Sequence, residues 1–166
     1  MTDSEYKLRQ ATLNWMVAQA ESYTHALTLT LKQSRKVKTE RGELVERLTR
    51  YSATTNMRHF INRLNAALYG NAAKTARGGK SIKLLGALEG GTTGDNLHYH
   101  CVIGRLPERL TNSERDYLIR SAWQQTSFGN EQVHIQTLTT TGWMGYMVKE
   151  VGKLSCDIID WENVRN

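Results

Sequence analysis

A strictly alternating segment, residues 24–32, constrains the fold of this chain more than any other feature. Leu27, Leu29 and Leu31 occupy every second position, and smaller or polar residues stand between them. Because successive side chains of a β-strand point to opposite faces, the segment predicts a strand with one apolar and one polar face. Such a strand belongs in a sheet that is covered on its leucine side.

The rest of the chain mixes predicted strands with predicted helices. Alternation and short apolar runs predict further strands at residues 82–89, 97–103 and 131–138. Helical spacing predicts helices at residues 4–20, 54–68, 111–125 and 141–154, and the charged residues 34–50 are expected to carry a short helix. A glycine-rich turn predicts that the second and third strands form a hairpin. We therefore expect an α+β fold with a central antiparallel sheet, helices packed on the leucine face, and an open opposite face.

Size and charge narrow the class of protein. The 166 residues fit one domain, and no apolar run approaches the length of a membrane span. The polar start does not resemble a secretory signal, and two cysteines do not make a disulfide framework, so a cytoplasmic protein is expected. The net charge is +6, with a large cationic excess in residues 32–83. A basic block of this kind attracts polyanions such as nucleic acid, although a solvated loop has the same composition.

Two histidines separated by one residue, His98 and His100, indicate a metal site. On a strand they point to the same face, and the intervening Tyr99 points to the core, so the pair is expected on the open, polar side. Neutral imidazoles side by side can bind one divalent cation. The alternative is a pair of polar residues on a solvated sheet face.

A carboxylate is needed to complete a three-ligand site. Glu89 ends the preceding strand, and hairpin pairing could bring it beside either histidine, depending on the register. Asp95 and Glu150 are other candidates. Two imidazoles and one carboxylate suit Mg²⁺ or Mn²⁺ acting as a Lewis acid on a phosphate oxygen. The alternative for Glu89 is a solvated residue at the end of a strand.

A candidate nucleophile lies on the last predicted helix. Tyr146, Lys149 and Lys153 share one stripe, away from the apolar stripe of that helix. An exposed phenol needs nearby positive charge to attack at neutral pH, and the lysines could supply it. The alternative is an amphipathic tyrosine packed at the rim of the helix.

Three motifs occur in a meaningful order: a Thr-Leu-Thr-Leu strand at residues 28–31, His98-Tyr99-His100, and Tyr146 with Lys149 three residues later. This order resembles the HUH endonucleases, in particular the single-tyrosine rolling-circle replication initiators of phages and plasmids. The resemblance covers about residues 24–153. It implies a central antiparallel sheet with helices on one face and DNA across the other.

The resemblance also implies roles for individual residues. His98, His100 and Glu89 would hold the metal, Tyr146 would attack the scissile phosphate of single-stranded DNA, and Lys149 would assist. The products would be a free 3′-hydroxyl and a 5′-phosphotyrosine link, which permits rejoining. The expected DNA contacts are Thr28, Thr30, Lys74, Arg77, Lys80, Lys83 and Lys153.

Residues 1–166 are expected to form a single HUH domain without a fused helicase domain. The expected partners are single-stranded DNA at an origin or hairpin and a host helicase, with no membrane, in the cytoplasm of a bacterial or phage or plasmid host cell.

Three other functions are compatible with parts of the sequence. A single-tyrosine transposase of a small insertion sequence shares the His-x-His pair and a later tyrosine helix. A non-catalytic DNA-binding module would use only the basic block. A metal-dependent hydrolase of a small substrate would leave the basic block without a purpose.

Overall fold

The computed structural model describes residues 2–74, 79–91, 96–151 and 158–165. The strands are β1 (His25–Leu31), β2 (Ser34–Thr39), β3 (Gly42–Arg47), β4 (Lys83–Glu89), β5 (His98–Gly104) and β6 (Gly129–Thr137). The helices are α1 (Asp3–Val17), α2 (Arg50–Tyr69), α3 (Asn112–Gln124) and α4 (Gly142–Met147), with 3₁₀ turns at Ala20–Ser22, Gly70–Lys74 and Trp161–Asn163. No helix in these ranges is long and apolar enough to cross a lipid bilayer.

Four strands form one antiparallel sheet in the order β4–β5–β1–β6. The predicted α+β class and the β4–β5 hairpin are therefore confirmed. The leucines of β1 face α2 and α3, as their alternation predicts. The buried residues that these helices bring to that core include Met57, Phe60, Ile61, Leu64, Leu68, Ile119 and Trp123.

The opposite face of the sheet is more covered than predicted. Leu85 and Ala87 of β4 and Val102 of β5 are buried there in a second core. The side chains that cover them come from α1, from α4 with the turn that follows it, and from the C-terminal segment, and include Met16, Met144, Met147, Val148 and Ile159. The prediction failed because it counted only the leucines of β1 as apolar. The open surface is limited to the β1–β6 half of the sheet, where His134 and Gln136 are exposed.

The charged segment after β1 forms a β-hairpin instead of the predicted short helix. β2 pairs with β3 as a separate two-stranded sheet. Arg35 and Lys36 form ion pairs across the strands, with Glu46 at 2.6 Å and Glu43 at 2.9 Å respectively. Gly42 has a φ of +122°, which glycine adopts at little cost, and this allows the tight turn. Cross-strand pairs of opposite charge thus explain a pattern that residue spacing alone did not reveal.

Two helix boundaries differ from the prediction. α2 begins earlier than expected, because Thr49 and Ser52 form a reciprocal capping box at its start. The helix predicted to reach residue 154 ends at Met147, and the chain continues as a turn that contains Lys149. Gly145 lies within this short helix and lowers its intrinsic stability.

The C-terminal segment closes the free edge of β4. Arg165 bridges to Leu84 and Ile159 bridges to Ala87. Tyr99, which faces the leucine-side core as predicted, donates a hydrogen bond of 2.7 Å to Asp160 of this segment. An exposed sheet edge can pair with other chains, and the segment prevents this along β4.

Candidate metal and tyrosine site

The register of the sheet brings the predicted carboxylate to the predicted histidines. Glu89 of β4 lies directly opposite His98 of β5, and His100 is two residues further along the same face. One potential ligand atom from each of these three side chains lies within 4.8 Å of the others. The group could therefore hold a metal ion. Of the two alternative carboxylates, Asp95 lies outside the described residues and Glu150 is not part of this group.

The two imidazoles are held with their Nε2 atoms facing each other, 3.1 Å apart. Nδ1 of His98 lies 2.9 Å from the carbonyl oxygen of Asn96, so it carries the proton and donates. Nε2 of His98 is then left as an unprotonated lone pair. Nδ1 of His100 lies 3.1 Å from Oγ1 of Thr28, a neighbour that can either donate or accept. A cation between the two Nε2 atoms is favoured when Thr28 accepts, because both lone pairs then point toward it.

The Glu89 side chain is buried, with only 6% of its surface exposed. Its Oε2 atom lies 3.1 Å from Nζ of Lys149 and 3.8 Å from Nε2 of His100. Its Oε1 atom has no hydrogen-bond partner in the described part of the chain. A buried carboxylate oxygen without a partner is costly, and a divalent cation would satisfy it. The donor set of one hard oxygen and two imidazole nitrogens fits a divalent metal.

The tyrosine of the third motif lies against this cluster. The ring of Tyr146 is 43% exposed, and its centroid is 4.9 Å from that of His100 in an edge-to-face contact. Nζ of Lys149 lies 3.8 Å from the centre of the tyrosine ring. Trp143 contacts both rings and donates a hydrogen bond to the carbonyl of Cys101 on β5. α4 is thereby fixed over the sheet with its tyrosine next to the candidate ligands.

Burial and neighbouring charges set the protonation of two groups here. Burial lowers the pKa of His100 to about 4, and the charges of His98 and Lys149 act in the same direction. Burial alone would lower the pKa of Lys149, but hydrogen bonds and charges from Tyr146 and Glu89 outweigh it and raise the pKa above its ordinary value. At neutral pH, His100 is therefore a neutral potential ligand and Lys149 is a cation.

Comparison with protein families agrees with the order of these elements along the chain. A family model for replication-associated proteins of the ORF2 type matches residues 24–155. The chain belongs to this family. Membership supports a role in replication initiation and, with it, binding to DNA. The matched region runs from the start of β1 beyond α4, and so contains every residue of the cluster. No curated protein and no solved structure gives a significant match.

The structure separates the expected DNA contacts of this family member into different regions. Thr28 reaches His100, as described above. Thr30 is half-buried on the same face and donates a hydrogen bond of 2.7 Å to the carbonyl of Gln132. Arg77 and Lys153 lie outside the described residues.

Three expected lysine contacts lie at the far end of the sheet. Lys74 and Lys80 are exposed near the start of β4, about 20 Å along that strand from Glu89. Lys83 is buried, and its Nζ lies 5.0 Å from the centre of the Tyr23 ring. Burial, aided by the charge of Arg105, lowers the pKa of Lys83. This environment does not suit a phosphate contact.

Sequence reasoning missed two neighbours of the cluster. Thr28 pairs with His100 across β1 and β5, a relation that only the strand register reveals. Trp143 stands three residues before Tyr146, and this spacing on a helix was the available signal.

Proposed function

We propose that this protein is a single-tyrosine endonuclease of the HUH class. It nicks single-stranded DNA and transfers the strand to itself in order to initiate rolling-circle replication. The observation that carries the proposal is the contact of Tyr146 with His100, with Lys149 between the tyrosine and Glu89. In a replication-associated family, a nucleophile beside a candidate metal cluster supports strand cleavage rather than binding alone.

Glu89, His98 and His100 would hold the divalent cation, Mg²⁺ or Mn²⁺. The partnerless Oε1 of Glu89 and the facing Nε2 atoms support this set. When bound, the cation would polarise a non-bridging oxygen of the scissile phosphate. Thr28, expected as a DNA contact, is better proposed as a positioning residue that orients His100.

Tyr146 would attack the scissile phosphorus with its phenol oxygen. The bond between phosphorus and the 3′-oxygen breaks as the bond to the tyrosine oxygen forms. The phenol proton is balanced by the proton gained by the leaving 3′-oxygen. Lys149, held as a cation, would stabilise the developing phenolate, a role that depends on its fixed position. The 5′-phosphotyrosine retains the energy of the phosphodiester, so a later 3′-hydroxyl can reverse the step.

The single strand would cross the open β1–β6 half of the sheet. Thr30 and His134 line this surface, which runs up to the metal cluster. Lys153 and Arg77 stay predicted DNA contacts, while the lysines at the far end of the sheet would contact only DNA distant from the cut. A single HUH domain, a host helicase as partner and a cytoplasmic location also stay predictions.

The described family favours a replication initiator over a transposase of a small insertion sequence. A non-catalytic DNA-binding module would not need a tyrosine packed on a buried histidine. A hydrolase of small substrates is less compatible with a replication-associated family.

A covalent adduct tests the proposal without knowledge of the origin. Protein and Mn²⁺ are mixed with a randomised single-stranded DNA library labelled at its 3′ end, and adducts are resolved on a denaturing gel. The wild-type protein should retain the 3′ label, because the tyrosine holds the 5′ end of the downstream fragment. Tyr146→Phe and His98→Ala should lose it. The control Tyr117→Phe changes a tyrosine that is 69% exposed on α3 and should retain it.

Two results would oppose the proposal. An adduct that persists in Tyr146→Phe assigns the nucleophile elsewhere. DNA binding with no adduct under any metal, even with sequences selected for tight binding, supports the non-catalytic module.

A further inference from the structure

The hairpin of β2 and β3, here called the ribbon (residues 34–47), contributes little to either core. All of its strand residues are exposed or half-buried. It is a two-stranded sheet separate from the main one. An isolated two-stranded sheet is marginally stable in water, so folding alone gives no reason for an arm of this length.

The base of the ribbon is fixed to the strand that carries the histidine pair. The Gln33 side chain accepts a hydrogen bond from the backbone N–H of Leu97 and donates another to its carbonyl, at 3.0 and 3.1 Å. Lys32 and Leu48 add backbone hydrogen bonds on the two sides of the base. The guanidinium of Arg35 lies over the ring of Phe128 at 4.9 Å. The ribbon therefore starts beside His98, next in sequence to Leu97.

The charge of the ribbon increases toward its tip. It carries five cations and three carboxylates. The ion pairs of Arg35 and Lys36 use two of the carboxylates. Within the described ranges, no carboxylate oxygen lies within ion-pair distance of Lys38 or Arg41. Lys38 is exposed near the end of β2, and Arg41 is exposed in the turn.

We propose that the ribbon is a second DNA-binding site that takes duplex DNA, with its cationic tip on the phosphates beside the strand entering the tyrosine site. Its two strands are about 4.8 Å apart and each extends about 20 Å. A two-stranded ribbon fits the major groove of B-DNA, which is about 12 Å wide. The statement that this duplex adjoins a strand to be cut rests on the proposed function; the duplex site itself does not.

The composition of the ribbon favours duplex over single-stranded DNA. Sites for single strands combine positive charge with aromatic side chains that stack on bases. Residues 34–47 contain no aromatic residue. The aromatic side chains lie at the other site, where Trp143 and Tyr146 are partly exposed. The two surfaces thus differ in the way expected for a stem and its adjoining single strand.

Binding of two DNA probes tests this inference. Fluorescence anisotropy is measured with a random-sequence duplex of about 20 base pairs and with oligo-dT of the same length, across a salt series. All proteins carry Tyr146→Phe, so that cleavage plays no part. The test variant adds Lys38→Gln and Arg41→Gln. The control adds Lys7→Gln and Arg63→Gln, which removes the same charge from exposed positions of α1 and α2.

The test variant should bind the duplex at least about tenfold more weakly near 0.1 M salt, and the salt slope should fall by about 2. Its affinity for oligo-dT should stay within about twofold. The control should match the parent on both probes, and Lys38→Arg with Arg41→Lys should restore duplex binding.

Unchanged duplex binding in the test variant would overturn the inference, and so would equal losses on both probes. The unmodified-tyrosine form of the test variant should still form adducts with single-stranded DNA. Failure of duplex binding with intact adduct formation refutes the ribbon alone, whereas duplex binding without any adduct refutes the proposed chemistry alone.

Discussion

The buried neutral state of His100 predicts a loss of stability in mild acid. The pKa of its imidazole is lowered from 6.5 to about 4 by burial, with His98 and Lys149 acting in the same direction. The unfolded chain therefore binds a proton at this position more readily than the folded chain. The contribution is fully present above pH 6.5 and is lost as the pH falls from 6.5 to 4.

The magnitude follows from the difference in pKa. A shift of one pKa unit corresponds to 1.36 kcal/mol, so the full effect is about 3 kcal/mol. At pH 5 the unfolded-state site is almost entirely protonated and the folded-state site is not, and about 2 kcal/mol is already lost. This is a large fraction of the free energy of unfolding of an ordinary domain.

Urea unfolding of metal-free protein at pH 7.5 and pH 5 measures this effect. Between these conditions the wild-type protein should lose about 2 kcal/mol more than His100→Asn, which has no proton to gain. His134→Asn changes an exposed histidine of β6 and should follow the wild-type protein. Equal losses in the wild-type protein and His100→Asn would refute the argument that burial holds this imidazole neutral.

Three further predictions concern the surroundings of the site. Thr28→Val removes the hydrogen-bond partner of His100 Nδ1 and should weaken Mn²⁺ binding, measured by electron paramagnetic resonance, by about tenfold or more, whereas Thr30→Val should not. Tyr99→Phe removes the hydrogen bond to Asp160 and should lower the free energy of unfolding by about 1–2 kcal/mol in urea titrations, with adduct formation retained. Chelation with EDTA should abolish adduct formation while leaving anisotropy with duplex DNA unchanged.

The sequence predicts the strands of the main sheet well because alternation is a local property. Leu27, Leu29 and Leu31 all lie on the covered face, and His98 and His100 share a face, as period-two patterning requires. The order of the motifs was also sufficient to suggest the replication-associated family that the family model supports.

Features that depend on long-range pairing were not predictable. The opposition of Glu89 and His98 needs a strand register, which alternation leaves open. The burial of His100 depends on α1 and α4 covering a face that appeared polar from β1 alone. The ribbon escaped detection because its stabilising ion pairs join residues such as Arg35 and Glu46, 11 positions apart in the chain.

The identity of the nucleophile is the central claim, and mass spectrometry of the DNA-linked peptide tests it most directly. Protein is reacted with the enriched single-stranded library and Mn²⁺, digested with protease and nuclease, and fragmented to locate the residual nucleotide. The account predicts a 5′-phosphate on the side chain of Tyr146. A nucleotide on another residue, such as the exposed Tyr51 or Tyr117, or attachment through a 3′-phosphate, would contradict it.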